Sequence, residues 1–202
     1  MEIVKQNATL ETPIDTEWII WTMGNIEKAA RTCYQSYDKA GEGSAERLIR
    51  SCIKRGHESI IEHVSVSFRI VCDRGVLAEI TRHRLASYSV ESTRYVNYRK
   101  GITVIAPPEL SAEQRVLWEN ACLSAENTYR TLIEDGVSPQ IARSVLPTCL
   151  KTELVMTTNL REWRHFIKLR NSTAAHPQIR EIAGKILDIL AEKLPAVFDD
   201  LR

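Results

Sequence analysis

Long apolar runs are missing from this chain of 202 residues, and nothing in it approaches the ~18 residues of a membrane-spanning helix. A membrane partner is therefore not expected. Charge of one sign is missing as well. Lys and Arg number 27 against 26 Asp and Glu, for a formal net charge of +1. Proteins that grip nucleic acid over their whole surface carry a clear basic excess, so nucleic acid is not the expected partner. Cysteine is scarce and scattered: Cys33, Cys52, Cys72, Cys122 and Cys149 are odd in number, with no Cys-x-x-Cys pair. Residues 1–10 are mixed polar and charged rather than a secretory leader, which points to free thiols in a reducing, cytoplasmic compartment. Internal repeats and low-complexity stretches are absent too.

What is present is a globular pattern. A hydrophobic share of 44% with 26% charged residues excludes disordered and fibrous classes. A strand is expected over 1–10, followed by a turn at Pro13 and a helix capped by Asp15 or Thr16 that runs to Arg31. A second helix carries Leu48, Ile49, Cys52 and Ile53 and stops at Gly56. Val64, Val66, Phe68 and Ile70 alternate with polar residues, the signature of a half-buried strand. Asp73 then caps a short helix to Thr81. Residues 82–100 lack an apolar stripe and read as a loop followed by an extended segment over 95–98. A strand at 102–106 precedes a long helix that Ser111 caps and Gly136 closes. Ser138-Pro139 starts another helix that ends at Pro147. A strand over 148–157 and helices over 160–170 and 176–194 complete an α+β chain, read as one domain over 1–202.

The chemistry concentrates in one segment. Arg82-His83-Arg84 is followed within a few residues by Ser87, Ser89, Glu91, Ser92, Thr93 and Arg94, with Tyr88 and Tyr95 among them. Arginine offers permanently charged planar forks suited to phosphate, hydroxyls add neutral donors, and tyrosine can stack on a flat ring. A zinc reading of His57-Glu58 and His63 fails on spacing, because a metalloprotease helix needs its histidines four apart and these are six apart. No metal is expected.

Arg82-His83-Arg84, seven residues and then Ser92 resembles the signature of the flavin-dependent thymidylate synthases. Gly56-His57-Glu58-Ser59-Ile60-Ile61-Glu62-His63 resembles the family's upstream segment. Ala142-Arg143-Ser144-Val145-Leu146-Pro147, Asn159-Leu160-Arg161 and Leu169-Arg170 resemble its C-terminal half in order and spacing. The resemblance implies a mostly antiparallel sheet flanked by helices, and a homotetramer whose active sites are shared between chains. It also implies conversion of dUMP to dTMP, with methylenetetrahydrofolate as one-carbon donor and FAD, reduced by NADPH, as hydride source. No G-x-G-x-x-G loop occurs, so FAD would bind without a Rossmann unit.

The family likeness sorts residues among three tasks. Glu79, Ser92, Thr93, Arg94 and Arg143 are implied to hold the nucleotide, with Arg82 and Glu91 shared between nucleotide and flavin. Ser59, Arg82, His83, Arg84, Glu91, Asn159, Arg161 and His165 are implied at the flavin, His165 standing where asparagine is common in the family. Arg170 is implied to stabilise negative charge on the uracil ring, the effect that makes its C5 nucleophilic. Ser92 has no histidine or lysine partner in the local pattern and is given a binding role rather than a covalent one. Two other classes stay open on sequence alone. One is a nucleic-acid module that stacks on Tyr88, Tyr95 and Tyr98 beside Arg82, Arg84, Arg94 and Arg99. The other is a nucleotide sensor without catalysis.

Overall fold

The computed structural model describes every residue from Met1 to Arg202. Six strands are β1 (Glu2–Val4), β2 (Asn7–Leu10), β3 (Ser65–Asp73), β4 (Ala86–Val90), β5 (Thr103–Ile105) and β6 (Lys151–Asn159). Eight helices are α1 (Thr16–Thr32), α2 (Ser44–Lys54), α3 (Arg74–Ile80), α4 (Ala112–Glu134), α5 (Pro139–Ala142), α6 (Leu160–Arg170), α7 (Pro177–Lys193) and α8 (Pro195–Phe198). A small sheet pairs β1 with β5 in parallel, and a four-stranded sheet has the order β2-β3-β6-β4. No helix is long and apolar enough to cross a membrane.

Contacts divide the chain into two compact units, each discontinuous in sequence. The first comprises Met1–Asn7, Ile70–Arg82 and Tyr88–Val155, and the second comprises Ala8–Arg69, His83–Ser87 and Met156–Arg202. In the first, the Arg74 N–H donates to Thr148 O, and in the second the Leu160 N–H donates to Val64 O. The start of β3 therefore meets the end of β6, and its end meets the start, which makes the pair antiparallel. The alternation in the sequence is what this pairing uses: Val66, Phe68, Ile70 and Cys72 are all fully buried.

Helix ends follow their local chemistry. Asp15, Asp73, Ser111 and Asn159 each accept a backbone N–H from the first turn they precede. Both α2 and α4 close in Schellman motifs on a glycine in the left-handed region. Gly56 (φ 76°) donates to Ile53 O and His57 to Cys52 O, while Gly136 (φ 85°) donates to Ile133 O and Val137 to Leu132 O. The first of these turns delivers His57-Glu58-Ser59 into a 3-10 turn over Glu58–His63.

In the first unit the core gathers Ile102, Val104, Cys122 and Leu150, with Tyr98 and Trp118 against it. In the second, α6 is anchored by Trp163. Its indole N–H donates to Val66 O at 3.0 Å, and its ring meets Phe68 edge-on at 5.1 Å between centroids. The guanidinium of Arg164, fully buried on the same helix, binds Asp200 through both ends of its fork and also reaches Glu58 at 3.2 Å.

Three sequence expectations are corrected, the first being the helix expected from Ser138-Pro139 to Pro147, which ends at Ala142 and is followed by a 3-10 turn over Arg143–Val145. Residues 1–10 form two strands, not one, because β1 pairs with β5 while β2 joins the larger sheet. The extended segment expected over 95–98 is absent, and the strand lies earlier, at Ala86–Val90. Tyr98 instead turns its hydroxyl to the Glu91 carboxylate at 2.7 Å.

Candidate active site

In the second unit the site is built on α6. Asn159 ends β6 and caps α6, its Oδ1 accepting the Glu162 N–H at 2.9 Å. Residues four apart share a helix face. Glu162, Phe166 and Arg170 form such a stripe, and all three close on one imidazole. His83 Nδ1 lies 2.9 Å from Glu162 Oε1, the Phe166 ring meets it edge-on at 4.9 Å between centroids, and Arg170 Nε donates to Nε2 at 3.2 Å. The ring of His165 lies 5.4 Å away. His83 is buried, and burial pushes its pKa below the usual imidazole value; Glu162 opposes this, and the positive charge of Arg170 adds to it.

His83, Glu162 and His165 bring three donor atoms within 4.8 Å of one another, a set of the kind that holds a divalent ion. Here, however, both ring nitrogens of His83 already have partners and one of them faces a guanidinium. His57 and His63 form no such cluster.

Beside this imidazole is an open cleft of about 590 Å³, whose lining includes Asn159, Arg161, His165, Leu85 and Glu62. Three residues assigned to the flavin from sequence thus meet in one cavity. Arg161 lies across its rim in an ion pair with Glu62. Ser59 instead lines a second cavity of the same unit, about 620 Å³, together with His57, Arg55, Lys39 and Tyr34. Arg84 is exposed and makes no hydrogen bond or ion pair, so its guanidinium is uncommitted.

In the first unit the loop after β4 carries the other cluster. Thr93 is buried and accepts a hydrogen bond from Arg143 Nη1 at 3.2 Å. Arg94 Nε donates to Gln140 Oε1 at 3.1 Å, and its guanidinium carbon lies 5.3 Å from the Tyr95 ring centroid. Ser92 Oγ accepts the Arg94 N–H at 3.3 Å. Ser92, Thr93, Arg94 and Arg143 are therefore assembled as one polar, cationic group. Glu91 is committed differently. Its carboxylate accepts from the Tyr98 hydroxyl at 2.7 Å and from Lys151 Nζ at 3.0 Å. Burial and this hydrogen bond both push the Tyr98 phenol well above its usual pKa. Glu79 is half-buried on α3; the Arg82 backbone N–H donates to Glu79 O at 3.3 Å, while its guanidinium is exposed without a partner in the chain.

Sequence reasoning missed Glu162 and Gln140. The available signal for Glu162 was its place three residues after the cap, where Glu is common for helix-end reasons alone. Its actual partner is His83, 79 residues earlier.

In the second unit the uncommitted guanidinium of Arg84 is donor chemistry of the kind a flavin dinucleotide's pyrophosphate requires, and Asn159, having spent its oxygen on the cap, retains an NH2 donor. The residues present fit such a group.

Known proteins share this arrangement of sequence. The family model described as thymidylate synthase complementing protein matches residues 21–196. A flavin-dependent thymidylate synthase of Geobacter sulfurreducens is 35% identical over 185 residues, covering 87% of this chain and 80% of that protein. One from Mycobacterium tuberculosis strain H37Rv is 37% identical over 213 residues, covering 94% and 85%. Among solved structures, thymidylate synthase X from Helicobacter pylori, with FAD and dUMP, superposes with a TM-score of 0.75 at 25% identity, over 97% of this chain and 98% of that one. The fold is also that of the UMP/dUMP methylase PolB from Streptomyces cacaoi, with a TM-score of 0.83 at 24% identity over 98% and 96% of the two chains. On the family match and the two curated relatives, the chain belongs to the flavin-dependent thymidylate synthases and is an enzyme of that family.

Proposed function

We propose that this protein converts dUMP to dTMP, taking the one-carbon unit from methylenetetrahydrofolate and using FAD that NADPH reduces. The observation that carries the reading is the grip of α6 on His83, which joins a residue of the Arg-His-Arg motif to Arg170 across 87 positions of sequence. When bound and reduced, flavin supplies the hydride that completes the methyl group. Arg82 and Arg84 offer fixed positive charge to its anionic portion, and Asn159, Arg161 and His165 offer polar contacts along the cleft they line. His83 holds Arg170, while Ser59, which lines the second cavity, and Glu91, held by Tyr98 and Lys151, are assigned to the cofactor by the family resemblance alone.

Ser92, Thr93, Arg94 and Arg143 receive the nucleotide's phosphate, with Glu79 contacting it from α3. A guanidinium keeps its charge at any physiological pH and presents two parallel donors to a phosphate. Arg170 places its charge where electron density builds on the pyrimidine, which stabilises the form whose C5 attacks the one-carbon donor. The active unit is a homotetramer with sites shared between chains, and five free cysteines suit the reducing cytoplasm in which it works.

The test is reconstitution. Protein loaded with FAD and given dUMP, methylenetetrahydrofolate and NADPH should release dTMP, and omission of FAD should stop it. Flavin-loaded, folded protein that oxidises NADPH but makes no dTMP under any of these conditions would set the reading aside in favour of a nucleotide sensor.

A further inference from the structure

We infer that Glu162 is a positioning residue for the reaction, acting on Arg170 through His83; this rests on the role proposed above for Arg170. The argument is one of donors and acceptors. An arginine side chain has donors and no acceptor. Arg170 Nε, 3.2 Å from His83 Nε2, can therefore make its hydrogen bond only if Nε2 carries a lone pair. A neutral imidazole with a bare Nε2 carries its proton on Nδ1, and that nitrogen faces Glu162 Oε1 at 2.9 Å. Glu162 thus selects one of two tautomers. With the proton on Nε2 instead, two N–H groups would oppose each other and the bond from Arg170 Nε would be lost.

The surroundings enforce the choice. Glu162 is buried at 7% exposure and His83 at 4%, so water has little access to substitute for either partner. Protonating both nitrogens would place an imidazolium against Arg170 and beside His165, and burial already disfavours that charge. The edge of Phe166 fixes the ring from a further side. A carboxylate, an imidazole and a guanidinium are so joined in a line, and the bond that Arg170 Nε makes to His83 is set from Glu162, which reaches Arg170 only through the imidazole.

Glu162→Ala removes the acceptor, while Glu162→Gln keeps an amide oxygen that can accept from Nδ1–H and preserves the volume. The five histidines permit ¹⁵N-histidine NMR of the full chain, with the His83 signals assigned by their disappearance in His83→Gln. Wild type and Glu162→Gln should show a neutral ring protonated on Nδ1, and Glu162→Ala should move the proton toward Nε2. In the dTMP assay Glu162→Ala should lower kcat about 10-fold or more, the value of a lost hydrogen bond in a chain that ends on a charge, with KM for dUMP changed less than about threefold. Glu162→Gln should recover most of that loss. Unaltered kcat in Glu162→Ala, or a lost kcat with the Nδ1–H tautomer still in place, would overturn the inference. The NMR arm reads the tautomer whether or not dUMP is the substrate, so failure of the assay in wild type itself would count against the proposed function and leave the relay to be decided by the spectra.

Discussion

Arg143 Nη1 donates to Thr93 Oγ1 at 3.2 Å, which ties the 3-10 turn over Arg143–Val145 to the loop that follows β4. An arginine on an exposed turn is ordinarily solvated. This one is held beside Ser92 and Arg94, and the group has the composition of a phosphate seat.

Removing Arg143 should therefore act on nucleotide binding. A hydrogen bond to a charged group is worth about 1.5–3 kcal/mol, so Arg143→Ala should raise the half-saturating dUMP concentration about 10- to 100-fold. Ser92→Ala removes a neutral donor worth about 1 kcal/mol and should raise it about fivefold, with turnover retained. Steady-state titration with dUMP measures both. Loss of all turnover in a folded, saturated Ser92→Ala would reinstate a covalent role for Ser92.

Thiol chemistry offers a check on the packing. Of the five cysteines only Cys33 is exposed. Burial pushes the thiols of Cys72 and Cys149 up to about 12 and raises that of Cys122, whose sulfur lies 3.4 Å from Cys149. Thiolate is the reactive form. Native protein at pH 8 should present one fast-reacting thiol per chain to a maleimide, and all five after denaturation. Two or more fast thiols in native protein would contradict the packing around Cys122 and Cys149.

Acid should expose the Arg164 clamp. The hydrogen bonds from Arg164 hold the Asp200 carboxyl below its ordinary value, against the opposing effect of burial. A carboxyl depressed in the folded state contributes stability that is complete above its unfolded pKa and is lost as pH falls through the folded one. Asp200→Asn should therefore melt below wild type at pH 7, and the gap should narrow as pH drops below about 4. Thermal melts at a series of pH values provide the measurement, and two curves running parallel into acid would contradict the assignment.

These sites were legible in the sequence to different degrees, for physical reasons. Helix α6 is found at its expected bounds because Asn159 is a strong cap and basic residues crowd its last turn. Strand β3 is equally plain from the alternation of Val66, Phe68 and Ile70. By contrast, β4 has the last place in its sheet and carries Ala86, Ser87 and Ser89, which bury little, so no alternation announces it. The extended segment expected over 95–98 fails because Tyr98 is placed by its hydroxyl bond to Glu91 and by its backbone N–H, which donates to the Tyr129 hydroxyl 31 residues on, a choice that local pattern does not encode. The motif residues could be assigned by resemblance, but Glu162 lies outside that pattern and its function depends on a contact made only in the folded chain.

Arg170 provides the most direct test of the account. Arg170→Ala, confirmed to be folded, assembled and loaded with FAD, should oxidise NADPH through the flavin at close to the wild-type rate, since reducing the flavin does not call on an activated pyrimidine. Its formation of dTMP at saturating dUMP should fall about 100- to 1000-fold, the loss expected when a transition-state interaction of about 3–4 kcal/mol is removed. Arg170→Lys, which keeps the charge without the fork, should fall between the two. Near-normal dTMP formation by the alanine variant would contradict the central claim and leave Arg170 as no more than a cation at the end of its helix.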